Sequence, residues 1–230
     1  MVRLVGATFA TGAFGTYATE QDVRQLLLGY DLSALGGEAA VTERIQRLLP
    51  QTKAALDRAA NRDFELHEGD SLTVDGTGHS WLFLFRYGRA PVLRVNSLVV
   101  NGEAVDSSRY VVYDREGYLR LVDNQADFFA NPAGGPSPAF PKGAQNVTVS
   151  LDWGYVLVPD DIVLAQAKLV GAELLTEAGG GLSGGVESQQ IGDYKVTYGT
   201  QGAYAGVIAR WLDDVRRTVG EHRRLGLATL

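Results

Sequence analysis

Apolar positions recur at helical spacing toward both ends of the chain and in alternation through its middle, and this change of period organises everything else. Thr19, with Asp22 three residues on, reads as a helix cap with an acid at the positive helix end. Val23, Leu26 and Leu27 give that short helix one apolar face, and Gly29 stops it. A longer helical run follows from Glu38 to about Arg62, with Val41, Ile45, Leu48, Ala55, Leu56 and Ala59 on one side. Pro50 lies inside it, where the missing N–H and the crowded preceding turn predict a kink or a break.

From Phe64 the pattern changes. Trp81–Tyr87, Val92–Val100, Arg109–Tyr113 and Tyr118–Val122 are rich in β-branched and aromatic residues and predict strands. Asn101-Gly102 and Asp114-Arg115-Glu116-Gly117 are the turns between them. Residues 123–146, punctuated by Pro132, Pro136, Pro138 and Pro141, read as a long loop, a type often functional or ordered by a partner. Val147, Val149 and Leu151 then alternate with Thr148, Ser150 and Asp152, predicting a strand with one wet face.

Asp152-Trp153-Gly154-Tyr155-Val156-Leu157-Val158-Pro159-Asp160-Asp161-Ile162 is a junction: a strand ends, a glycine-aromatic turn follows, and a helix starts at a proline and two carboxylates. That helix, 160–178, has Gln166, Glu173 and Glu177 as its polar stripe and is otherwise small or apolar. A helix apolar over most of its circumference must be wrapped by other elements or by a partner chain. The glycine-rich run 179–185 is a linker, Gln190–Tyr198 is hairpin-like, and a last helix runs from about Ala203 to Arg224. The predicted class is therefore α+β: a helical scaffold of about four helices carrying a β-rich insertion. Its expected parts are a flexible arm at 1–18, the scaffold at 19–63 and 159–225, the insertion at 64–158 and a tail at 226–230.

Composition narrows the function more than it names it. The chain of 230 residues is 45% hydrophobic and 21% charged, as expected of a protein with its own core. It has no cysteine, which excludes disulfides, thiolate nucleophiles and cysteine-ligated metals. A net charge of −6 argues against a dedicated nucleic-acid binder, and no apolar run is long enough to span a bilayer.

Candidate chemistry is thin. Glu65, His67, Glu68, Asp70, Asp75 and His79 are the best metal candidates, but their spacing matches no recognised ligand pattern, and the solvated turns and edge of a sheet explain them. The glycine run has no following Lys-Ser/Thr and trails a helix where a phosphate loop needs one ahead. Asp160 and Asp161 are explained by their position at a helix start, and His222 by a cationic helix end. Gly181-Leu182-Ser183-Gly184-Gly185 has Gly-x-Ser-x-Gly spacing, but it lies in the linker after a helix and not on the strand-to-helix turn that a nucleophile elbow needs. No catalytic residue, metal or cofactor is expected.

The order of several segments resembles the head–tail connector (adaptor, or head-completion) proteins of long-tailed bacteriophages. The likeness is carried by Ala54-Ala55-Leu56-Asp57-Arg58-Ala59-Ala60-Asn61-Arg62-Asp63-Phe64, by Arg94–Glu103, by the Tyr110–Leu121 hairpin, by Val147–Asp152 leading into Trp153-Gly154-Tyr155 and Val158-Pro159-Asp160-Asp161-Ile162, and by Ile191-Gly192-Asp193-Tyr194-Lys195-Val196-Thr197-Tyr198. It spans residues 19–225, and the arm and the proline-rich loop match nothing in it.

The resemblance implies a non-enzymatic virion protein, assembled in the host cytoplasm, that forms a ring, typically dodecameric, beneath the portal. Such a ring extends the DNA channel without binding the genome specifically, and it docks the next neck or tail component. It would place Trp211, Arg216, Arg217, Arg223, Arg224, Leu225, Leu227 and Leu230 at the portal, and Ile162, Leu169, Val170 and Leu174 between subunits. An acidic protein suits a channel through which DNA must slide. The alternatives are another neck or tail completion protein, or a carbohydrate-binding or host-adhesion module built around Trp81, Phe83, Phe85 and Tyr87.

Overall fold

The computed structural model describes residues 15–122, 138–179, 186–200 and 202–223. In chain order the elements are α1 (Glu20–Leu26), α2 (Glu38–Ala60), β1 (His67–Gly76), β2 (Trp81–Phe83), β3 (Val92–Val100), β4 (Glu103–Ala104), β5 (Tyr110–Tyr113), β6 (Tyr118–Leu121), β7 (Gly143–Trp153), α3 (Asp160–Ala178), β8 (Val186–Ile191), β9 (Tyr194–Gly199) and α4 (Ala205–His222). The class is α+β. Chain contacts separate two units, one from the described residues of Met1–Arg62 and Val158–Leu225, the other from those of Asp63–Leu157.

The helical unit is built around α3. Its acids Asp160 and Asp161 fall in the first turn, where the helix dipole favours negative charge. The α3 side chains of Ile162, Leu169, Val170 and Leu174 are fully buried, and α1, α2 and α4 pack around them. A methyl group on Gly171 would sit 2.8 Å from Trp211 Cζ3, so the missing side chain lets the indole of α4 lie against α3. At α1, Thr19 Oγ1 accepts from the Asp22 N–H at 3.2 Å and Asp22 Oδ2 accepts from the Thr19 N–H at 2.7 Å, the reciprocal cap that the spacing predicts.

Three expectations change here. The helix α2 runs through Pro50 without a break. Pro50 is exposed, whereas Leu48, Leu49, Thr52, Ala55 and Leu56 are buried, so packing holds both flanking turns while water can serve the orphaned carbonyl. The last residues of the expected flexible arm, Tyr17 and Ala18, are buried in the helical core. Gln166, from the helix's polar stripe, is fully buried.

The β unit contains an antiparallel sheet in the order β1-β7-β3-β4 and a smaller one in the order β2-β6-β5. Val74, Leu82, Leu98, Leu119, Val149 and Leu151 are among the side chains of their shared core. Asn101 and Gly102 have φ of 52° and 83°, the left-handed pair that a two-residue hairpin between β3 and β4 requires.

The strand β1 falls in the stretch read from sequence as solvated turns and a sheet edge: it is the edge strand of its sheet, with Leu72 and Val74 turned inward. The strand expected at Trp81–Tyr87 stops at Phe83, and Leu84–Tyr87 form a 3-10 turn closed by Gly88 at φ 80°. The strand β7 begins at Gly143, earlier than the alternation from Val147 shows. Most of the expected loop at 123–146 and the linker after Gly179 lie outside the described residues. The loop's described end is packed: Phe140 is fully buried, and its backbone exchanges hydrogen bonds with Gly78 and His79.

Candidate interaction surface

The helices α3 and α4 frame an open cleft of about 430 Å³, lined by Asp161, Leu164, Lys168, Asp214, Arg217 and Glu221 among others. Lys168 Nζ lies 2.8 Å from Asp214 Oδ2, and Arg217 Nη2 lies 3.1 Å from Asp214 Oδ1. The hydrogen bond from Lys168 is the main reason the Asp214 carboxyl is held below its usual range. His222 Nε2 and Asp161 Oδ2 are 2.7 Å apart, joining the end of α4 to the start of α3. Leu164 is 46% exposed in this charged setting. Fixed charges of both signs around an exposed leucine suit recognition of a complementary surface more than bond making.

The residues expected at the portal separate. Trp211 is 5% exposed and packs edge-on to Tyr30 at 5.8 Å, so it lies in the helical core and not on the surface. Arg216 lies 3.2 Å from Asp213 and 3.4 Å from Gln189 Oε1, and like Arg217 and Arg223 it is exposed. Arg224, Leu225, Leu227 and Leu230 lie outside the described residues. Ile162, Leu169, Val170 and Leu174, expected between subunits, have no side-chain surface left over, because the chain's own helices already cover them. Apart from Leu164, most of the apolar circumference of α3 is covered within one subunit.

The acid and histidine patch does not converge. His67 stacks on Trp153 with ring centroids 3.9 Å apart and lies 3.1 Å from Asp63. Asp70 accepts from Trp153 Nε1 at 2.8 Å and from Arg89 Nε at 3.0 Å. Burial pushes the Asp70 carboxyl up, but these two donors outweigh it and hold the group below its usual range. Asp75 accepts from the Gln145 N–H. Among the described residues, no group of three or more His, Asp or Glu side chains is placed to hold a metal ion.

At the junction, hydrogen bonds hold the end of the strand. Asp152 accepts from the Gly69 N–H at 2.8 Å, from Asn96 Nδ2 at 2.8 Å and from Arg94 Nη2 at 2.9 Å, which together lower its pKa. Gly154 has φ 99°, and a methyl group there would sit 1.8 Å from the Glu65 carbonyl oxygen. After this fixed turn, Val156 and Leu157 are 70% and 73% exposed.

Sequence reasoning missed the clamp at Gln166. Its Oε1 accepts from the Tyr17 and Ala18 N–H groups, and its Nε2 donates to the Leu49 carbonyl at 2.6 Å and to Thr52 Oγ1 at 3.3 Å. The available signal was a lone amide between alanines in the most apolar helix of the chain, where a polar group needs partners.

No family model matches the chain, and no curated protein matches it. Among solved structures, it is similar to a chain in the neck of an empty GTA particle computed with C6 symmetry. The identity is 19%, the TM-score is 0.45, and the match covers 87% of this chain and 92% of that one. A likeness at this level leaves the function to be argued from the chain's own residues. No described helix is long and apolar enough to cross a membrane.

Proposed function

We propose that this protein is a structural component of the neck of a phage-like particle: a head–tail adaptor that assembles as a ring beneath the portal, extends the DNA channel and docks the next component. The observation that carries the reading is the exposure of Val156 and Leu157, at 70% and 73%, between Trp153-Gly154-Tyr155 and Val158–Ile162, the two pieces that resemble the connector family. The turn at Gly154 fixes where this aliphatic pair emerges. Burying either side chain fully would gain about 1.5–3 kcal/mol, an incentive for assembly that the isolated chain leaves unused.

The partners in this reading are further copies of the chain, the portal and a following neck or tail protein. The net charge of −6 suits a channel that repels phosphate. The test is Val156→Ser with Leu157→Ser, assayed by co-sedimentation with purified portal rings. The double variant should unfold within about 0.5 kcal/mol of the parent, as exposed substitutions do, while attachment falls at least several-fold. Unchanged attachment would remove the observation on which the reading stands.

A further inference from the structure

The exposed aliphatic pair beyond Gly154 belongs to a larger patch. Nine large apolar side chains of the described residues are exposed, and four of them, Leu66, Leu93, Val156 and Leu157, gather at one end of the β1-β7-β3-β4 sheet. The register brings them there: His67 on β1 and Val92 on β3 both stand opposite Trp153, the last residue of β7. Leu66 precedes His67, and a methyl group on Gly154 would lie 3.4 Å from its Cα. Leu93 falls in the irregular step between Val92 and Arg94 and is exposed, whereas Val92 is in the core. Gly154 N–H donates to the Pro91 carbonyl at 2.9 Å, which ties the start of β3 to the same turn.

The size of the patch limits what it can do alone. Exposures of 39% to 73% on four aliphatic side chains amount to roughly 400 Å², a size at which an apolar patch marks an interaction site. A stable interface takes about 800 Å² from each partner. Two such patches facing each other across a two-fold axis fall short of that, so the receiving surface must add area beyond a few leucines.

The cleft between α3 and α4 supplies it. The cleft holds about 430 Å³, and Leu164, 46% exposed, gives it an apolar wall. Charges of both signs surround that leucine. Lys168 and Arg217 share one carboxylate, Asp214, and Asp161 is taken up by His222, whereas exposed Glu221 makes no ion pair among the described residues. The patch has a rim of both signs too. The Arg94 side chain is 71% exposed and holds Asp152 through Nε and Nη2, and Glu68, beside the Gly69 that also binds Asp152, is exposed. One orientation therefore sets Arg94 against Glu221 and Glu68 against the two cations of the Asp214 cluster. We infer that the patch of one copy seats in the α3–α4 cleft of a second copy of the same chain. Donor and acceptor are different surfaces, and contacts of that kind close into rings when the rotation allows it. The inference rests on the adaptor reading and names the partner of its aliphatic pair.

The test places a photo-crosslinking amino acid at position 157 and irradiates the protein with portal rings and alone at high concentration. The expected product has twice the chain's mass, with the second attachment point on α3 or α4. Leu164→Ser, at a half-exposed site, should reduce that product about fivefold or more with the circular dichroism spectrum unchanged. A crosslink from position 157 to position 157 of another copy, or to the portal alone, would overturn the inference. Rings that form without the expected product would overturn it and leave the adaptor reading standing. Absence of both rings and product in every condition would count against both.

Discussion

Replacing Gln166 with leucine removes the buried side chain that ties the segment before α1 to α2 and α3. In the parent, Oε1 serves two backbone N–H groups, those of Tyr17 and Ala18, and both residues are buried. Leucine fills similar space but accepts nothing. The Leu49 carbonyl keeps the Thr52 hydroxyl at 3.0 Å, so the loss concentrates on the two N–H groups. Each costs about 1–3 kcal/mol when left unsatisfied, or about 4 kcal/mol for the pair at the middle of that range. The more apolar side chain offsets about 2 kcal/mol of this. The net destabilisation is therefore about 2 kcal/mol, which lowers the urea midpoint of the helical unit by about 1 M for an m-value of about 2 kcal/mol/M. Hydrogen exchange at Tyr17 and Ala18 should accelerate before the rest of the unit. Gln166→Glu keeps the acceptor and loses the donor, so it should fall between leucine and the parent at Tyr17 and Ala18. An unchanged midpoint for Gln166→Leu, with both amides still protected, would refute the reasoning.

Further outcomes follow from other sites. Burial pushes the Glu173 carboxyl above its usual range, against the hydrogen bond donated by the Tyr194 hydroxyl at 2.8 Å. In the window above the ordinary carboxylate value the native state holds a proton that the unfolded chain has released, so stability falls as pH rises through it. Glu173→Gln removes that titration, so above the ordinary carboxylate value the urea midpoint of the variant should gain on that of the parent as pH rises; a constant difference between the two would contradict the assignment. Gly154→Ala combines a left-handed φ with contact against the Glu65 carbonyl and should destabilise the β unit by about 3 kcal/mol or more in denaturant titration. Deleting residues 225–230 should weaken portal attachment in co-sedimentation while leaving the circular dichroism spectrum intact, and equal attachment would show that the tail is no dock.

Local signals carried into the fold wherever a residue's role is set by its near neighbours. The Thr19–Asp22 cap, the Asn101-Gly102 hairpin and the Asp160–Asp161 helix start are of this kind, since capping and turn chemistry act over a few residues. Roles set across the fold were not legible. Nothing near Gln166 in sequence announces Tyr17 or Leu49, and Phe140 gives no sign within a proline-rich stretch that it fills the β core. A sheet edge was legible around β1, but not the strand's length, which depends on pairing with β7 rather than on its own residues. Apolar character also proved ambiguous on α3. The pattern demanded that Ile162, Leu169, Val170 and Leu174 be covered but could not say by what, and the covering elements belong to the same chain. Arginines on α4 were visible as a cluster, whereas their separation from buried Trp211 required the packing against Gly171.

The central claim, that the protein acts by assembling, is tested most directly by native mass spectrometry and negative-stain imaging of the purified chain, alone and mixed with portal rings. The account predicts closed rings of the chain, formed alone or on meeting the portal and stacked coaxially upon it. A strict monomer that ignores the portal at every concentration would contradict it.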